Sequence, residues 1–256
     1  MQVELAINLE DIVIYGIAAV YAIIVMTVAD LSRRKLNLGS DFTRKIVHLF
    51  AGAAVWTVPY YPHPWVATLV ALTFAIMLGL MNSSRFGRFF EAMARPDDLE
   101  HGSVRGPFWY AVSITILTGI FTLTGNDATY FIPAAAIHIM MLGDGVSAPI
   151  GMKYGKNHTR TILGSKRSLH GSLALFLFGF LGVLVAFWWF GIYSTQALVG
   201  PGGILMYEII ILALVGSLTA TLVELVSPKG TDNILLPFVT TVVMLLVGMQ
   251  LGVVSF

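Results

Sequence analysis

Cysteine is absent from the chain, which excludes disulfides, thiolate metal sites and a cysteine nucleophile. Charge is scarce as well: Asp, Glu, Lys and Arg make up only 11% of the residues, against about 25% in ordinary globular domains. Hydrophobic residues account for 57% and the mean hydropathy is +0.82. That is the composition of a protein dissolved in lipid. No internal repeat is visible, and no Walker-type Gly-x-x-x-x-Gly-Lys-Ser/Thr loop is present. The start, Met1-Gln2-Val3-Glu4, lacks the basic residues of a cleavable signal peptide. The first apolar run is therefore expected to stay as a membrane anchor. No nucleic-acid partner is expected, and no motif sets the number of subunits.

The charge that is present is unevenly placed. All 15 Lys and Arg residues fall in four connections: 31–45 (Arg33, Arg34, Lys35, Arg44, Lys45), 83–106 (Arg85, Arg88, Arg95, Arg105), 152–168 (Lys153, Lys156, Arg160, Lys166, Arg167) and 227–232 (Lys229). These alternate with connections free of basic residues: Tyr60–Pro64, Gly125–Asp127 and a Gly-rich turn near Gly200. Basic residues concentrate on the cytoplasmic side of membrane proteins. The pattern therefore predicts an all-α integral membrane protein, a single polytopic domain over 1–256. About eight spans of roughly 20 apolar residues each are expected. They lie at roughly 9–30, 44–61, 65–82, 107–125, 129–150, 169–191, 204–226 and 233–253.

Continuous apolarity favours helices over the alternating strands of a membrane barrel. Both termini are then expected on the non-cytoplasmic side. Trp56, Tyr60, Tyr61, Trp65, Tyr130, Trp188, Trp189, Tyr193 and Tyr207 lie near that outer boundary, as an interfacial aromatic belt predicts. The membrane is either a prokaryotic plasma membrane or a eukaryotic endomembrane. The 83–106 connection is expected to be an interfacial linker with a short surface helix around Phe86–Ala94.

Ionisable residues inside a span are costly, about 2.5–3.5 kcal/mol near the centre, and usually face a cavity or a partner. Asp144 is the foremost, in Gly143-Asp144-Gly145-Val146-Ser147-Ala148-Pro149-Ile150-Gly151. Its glycines and Pro149 predict a break or distortion of the fifth helix. A helix broken at membrane depth must be buried in protein or line a wet cavity.

The following stretch holds Lys153, Lys156, Gly164, Lys166, Arg167, Ser168 and Gly171. Glycine admits close approach of backbone to a ligand, while Lys, Arg and Ser donate to phosphate. Ser168 can also cap the sixth helix, whose N-terminal end favours an anion. The same cations also follow from topology alone.

Two further constellations share the basic side. On the seventh helix Ser217, Thr221 and Glu224 form one polar stripe. Asp232 and Asn233 open the eighth helix, either as caps or, with the nearby acids, as oxygen ligands of the kind Mg²⁺ takes alongside phosphates. At the start of the second span, Arg44-Lys45-Ile46-Val47-His48 puts Arg44 and His48 on one face. Snorkelling accounts for Arg44 and Lys45 but not for His48. His138 is expected to be a hydrogen-bonded packing residue, and His63 and His158 to be plain loop residues.

Three blocks together resemble the CTP-dependent polyprenol kinases: dolichol kinase, phytol and farnesol kinase, and the yeast-type diacylglycerol kinase. They are Arg44-Lys45-x-x-His48, the Gly143-Asp144-Gly145 to Lys166-Arg167-Ser168-x-x-Gly171 block, and Glu224 to Asp232-Asn233 and Pro237. They occur in the family's order from about residue 40 onward. The resemblance implies CTP as donor, a divalent metal such as Mg²⁺, and a lipid alcohol as acceptor. It places Asp144 as the acid of the nucleotide-binding segment and Lys166-Arg167-Ser168 as the family's Lys-Lys-Thr/Ser stretch. His170 and Arg167 depart from the Glu and Lys usual there.

On that reading Asp144 and Asp232 are metal ligands, with Asn233 beside them. Lys153, Lys156, Lys166, Arg167, Ser168, Arg44, Lys45 and His48 meet the nucleotide's phosphates. Asp144 or Glu224 takes the lipid hydroxyl's proton. A CDP-lipid synthase shares part of the signature, but its C-terminal Gly-His-Gly-Gly…Asp-Arg stretch is missing here. A membrane transporter is the alternative of another class.

Overall fold

The computed structural model describes residues 5–36, 40–81, 105–155, 159–193, 204–228 and 230–254. Lys156, His158, Lys229, the turn near Gly200 and most of the 83–106 connection, with its expected helix, lie outside the described residues. The described chain is all-helical apart from one small hairpin. Each expected span coincides with a helix. In chain order they are α1 (Leu9–Leu36), α2 (Ser40–Ala51), α3 (Val66–Met81), α4 (Arg105–Leu123), α5 (Phe131–Tyr154), α6 (Leu169–Ala186), α7 (Met206–Val226) and α8 (Asp232–Gln250). α2 continues as a 3₁₀ turn over Gly52–Tyr60, and α6 as a π turn over Phe187–Tyr193. All but α2 and the shorter α3 are long and apolar enough to cross a membrane.

The helices group into two compact units, Glu4–Ile116 and Leu117–Phe256. In the first, α1 packs along α2 and α3. Small side chains at Ala29, Ala75 and Ala111 join Val47 and Leu78 in its core, because small residues let apolar helices approach closely without a hydrophobic drive. α1 carries Glu10 and Asp11 in its first turn and Arg33, Arg34 and Lys35 in its last, both placements complementing the helix dipole.

Asn8 and Asp11 form a reciprocal capping box at the start of α1. The Asn8 N–H donates to the Asp11 carboxylate and the Asp11 N–H to Asn8 Oδ1, each at 3.0 Å. The same carboxylate, wholly buried, accepts from the backbone N–H of His63 at 3.1 Å. It also meets His63 Nδ1 at 2.7 Å. His63 is thus not the plain loop residue the sequence suggests. It ties the turn before α3 to the first turn of α1.

In the second unit α5 is the central element. Every residue from Phe131 to Met141 is buried, against α6, α7 and α8. Its contact with α6 runs backbone to backbone. A Cβ on Gly182 would come within 2.8 Å of the His138 carbonyl, and one on Gly143 within 2.9 Å of the Leu175 carbonyl and 3.2 Å of Gly179 Cα. One on Gly171 would meet the Ser147 carbonyl at 3.2 Å and Gly151 Cα at 3.6 Å. Gly143, Ser147 and Gly151 recur every fourth residue on one face of α5, the small-residue spacing of close membrane crossings. Gly143, Gly151, Gly171 and Gly182 therefore serve helix contact. His138 is buried in this seam and its Nδ1 meets the Ala134 carbonyl at 2.7 Å, a packing role as expected.

The aromatic belt needs correction at two positions. Tyr61 and Tyr130 are fully buried. Tyr130 shares a hydrogen bond with Thr118 at 3.0 Å and packs edge-on against Phe190.

Gly182→Val places its branched side chain against backbone that cannot step aside. It should lower stability by about 1–3 kcal/mol, read as an earlier thermal transition in detergent. Gly16→Ala, where an added Cβ meets nothing within 4 Å, should leave that transition unchanged or slightly raised.

Candidate active site

The helix around Asp144 is distorted but not broken. A π turn over Ile139–Asp144 adds a residue just before the acid, and α-helix resumes at Gly145 and carries Pro149 within it. Such turns recur at functional sites because they re-aim side chains without ending a helix. Asp144 is 6% exposed. The Ser147 hydroxyl donates to its backbone carbonyl at 3.0 Å and lies 3.5 Å from its carboxylate.

The connection after α5 was expected to be a loop. It contains an antiparallel hairpin, β1 (Thr159–Ile162) and β2 (Ser165–Ser168). Leu163 and Gly164 both have positive φ, 46° and 80°, the signature of a tight two-residue turn matched to strand twist. The legible signal was the β-branched run Thr159-Arg160-Thr161-Ile162 ahead of a glycine.

Pairing sets Arg160 opposite Arg167 and Thr161 opposite Lys166. Since successive side chains on a strand point to opposite faces, Lys166 and Arg167, adjacent in sequence, diverge. Lys166 is exposed; Arg167 is largely buried. Its guanidinium forms an ion pair with Glu224 on the last turn of α7. That pair links the Gly-Asp-Gly block to the C-terminal block, two of the three motifs singled out from the sequence. The Arg167 Nε is also buried and has no hydrogen-bond partner among the described residues.

Ser168 is the N-cap of α6, accepting from the Gly171 N–H at 3.1 Å, as its position predicts. Gly151 and Gly155 close around it: a Cβ on either would fall within 2.8 Å of the Ser168 hydroxyl. On α7 the expected polar stripe is mostly self-satisfied. Ser217 donates to the Ala213 carbonyl and Thr221 to the Ser217 carbonyl, the back-bonding usual for hydroxyls within helices. Glu224 is the member of that stripe that reaches another element.

Asp232 and Asn233 are not the cap of α8. Thr231 holds that position, without a side-chain cap bond. Asp232 and Asn233 stand in the first turn, buried, with the Asn233 N–H donating to Asp232 Oδ1 at 3.1 Å. Acid there complements the helix N-terminus.

The axial order of these groups follows from Ile139, whose side chain meets α6 at Gly179 and α7 at Gly216, beside Met244 of α8. At about 1.5 Å per residue, Asp144 lies roughly 8 Å from that layer towards the basic end, Glu224 roughly 12 Å, and Asp232 and Ser168 roughly 16–18 Å. All four occupy one end of the unit, with Asp144 the deepest. Among the described residues no three His, Asp or Glu side chains gather closely enough to hold a metal by themselves.

Lys153 is exposed, with its ammonium 5.1 Å from the centre of the Tyr154 ring. The Arg44-to-His48 block belongs to the other unit, and the Arg44 side chain lies outside the described residues. Lys45 is buried rather than snorkelling to water. His48 is buried too, its ring 4.0 Å from that of Tyr110, and the Tyr110 hydroxyl donates to the His48 carbonyl at 2.8 Å.

No family model matches the chain, and no solved structure does. Among curated proteins it is similar to one named phytol kinase from Synechocystis sp., 30% identical over 171 residues, covering 66% of this chain and 69% of the relative. An all-helical, multi-pass membrane architecture and this degree of kinship define a membrane-bound lipid-alcohol kinase. The chain belongs to the polyprenol and phytol kinase family.

Ser168→Ala should cost about 1 kcal/mol through loss of the cap, read from thermal unfolding in detergent. An unchanged transition in that variant would show that the cap contributes nothing.

Proposed function

We propose that the chain transfers the γ-phosphate of CTP to the hydroxyl of a phytol- or polyprenol-type lipid alcohol, from an active site on the cytoplasmic boundary of its membrane. Kinship with a phytol kinase carries this reading. The crowding of Asp144, Glu224, Asp232 and the Lys166–Ser168 strand at one end of a single unit supports it. A nucleotide then enters from water while the acceptor's tail stays in hydrocarbon.

In the transfer, the lipid oxygen forms a bond to the γ-phosphorus and the bond to the β-phosphate oxygen breaks, so that CDP leaves. The hydroxyl proton passes to a carboxylate, Asp144 or Glu224. Phosphoryl transfer asks mainly for positioning and charge neutralisation. Lys153, Lys156 and Arg167 supply the cations and Ser168 a hydroxyl.

A divalent metal fits the donors in kind, all of them oxygen. Asp144, and Asp232 with Asn233, would each hold a Mg²⁺, which would supply charge neutralisation on the triphosphate. The two acids differ in axial level by roughly 10 Å at helical rise, so phosphate oxygens and water would complete the coordination of each ion.

Incubation with γ-labelled CTP and a panel of lipid alcohols tests the reaction. Label should appear in the lipid, whereas transfer of α-label with release of pyrophosphate would identify a cytidylyltransferase instead. Asp144→Asn should lower turnover by at least about 100-fold with membrane insertion intact. Turnover near wild type in that variant would remove Asp144 from the chemistry.

A further inference from the structure

We propose that Glu224 is the positioning residue for Arg167, and that the guanidinium it holds, rather than Glu224 itself, acts on the donor nucleotide. This rests on the kinase reading above, in which Glu224 stands beside Asp144 as a candidate base.

The two side chains come from different elements, the last turn of α7 and strand β2, and both are largely buried, at 7% and 13% exposed. A carboxylate closed on a guanidinium in such surroundings has its lone pairs engaged, and it must break the pair before it can take a proton. Its use is geometric. It fixes where the cation sits. An arginine has five N–H donors in a planar fork. One nitrogen, Nη1, is committed to Glu224, while Nε is buried without a hydrogen-bond partner among the described residues. A buried donor left unmade is costly, and an anion with several acceptor oxygens relieves that cost in a way a single carboxylate does not.

The hairpin adds charge on the same face. Arg160 lies directly opposite Arg167, a like-charge pairing that by itself destabilises a strand pair. Glu224 offsets only one of the two cations. The remaining positive charge suits a phosphate. Lys166 sits on the other face of the strand and cannot substitute. A lysine at position 167 would present one ammonium point and lose the fork that serves a carboxylate and a phosphate together.

Steady-state kinetics on the full-length protein in lipid nanodiscs separate the possibilities. Glu224→Gln should raise KM for CTP about tenfold or more. Its kcat should stay within about threefold of wild type, and its pH–rate profile should keep its shape. Arg167→Lys should show a similar rise in KM.

The exchange Arg167→Glu with Glu224→Arg controls for a merely structural pair. It should regain the thermal stability lost in Glu224→Gln while KM stays high, because the cation has moved to the helix. Three results would overturn the assignment: a hundredfold fall in kcat for Glu224→Gln with loss of the acidic limb, an unchanged KM, or recovery of KM in the exchange. A wild-type protein that moves no γ-phosphate from CTP to any lipid alcohol would instead remove the kinase reading, and this role with it.

Discussion

Backbone contact between α5 and α6 is the constraint on which the second unit depends. In hydrocarbon, apolar side chains gain nothing by leaving lipid for one another, so helices must be held by close packing. Gly143, Ser147 and Gly151 on one helix and Gly171, Gly179 and Gly182 on the other provide it. Their approach brings the basic ends of both helices together, where Ser168 caps α6 within the space left by Gly151 and Gly155. The hairpin between them is short because the two helix ends it joins are already close.

That packing has a consequence for Asp144. The small-residue stripe faces α6, and the next residue along, Asp144, is rotated about 100° away from it. The π turn sits in the same stretch. One segment therefore does two jobs: its glycines hold the bundle, and the acid between them is turned elsewhere. In the sequence the glycines flanking Asp144 signal a break or distortion of the helix, and only its neighbours show that Gly143 packs against α6.

The first unit is organised differently. Its end away from the basic residues is closed by a polar clamp, in which Asp11 serves both the capping box of α1 and the His63 turn. Its other end buries Lys45, and also His48 against Tyr110. A buried lysine and a buried histidine are costly features for a bundle to keep. They single out the Arg44-to-His48 segment in the structure as the motif does in the sequence.

Class, helix positions and the residues worth watching were legible in the chain itself. Long apolar runs and alternating basic connections need no tertiary information, because lipid imposes the same demand on every span. Ser168 as a cap and His138 as a packing residue were also readable, since both depend on neighbours along one helix.

Partnership across elements was not. That Arg167 faces Glu224, 57 residues on, while Lys166 faces away, follows from a strand pleat in a segment expected to be loop. That His63 belongs to Asp11, 52 residues earlier, follows from how α1 and α3 are joined. In each case the sequence supplied the chemical groups, and the direction a side chain takes was decided by the packing of helices distant in the chain.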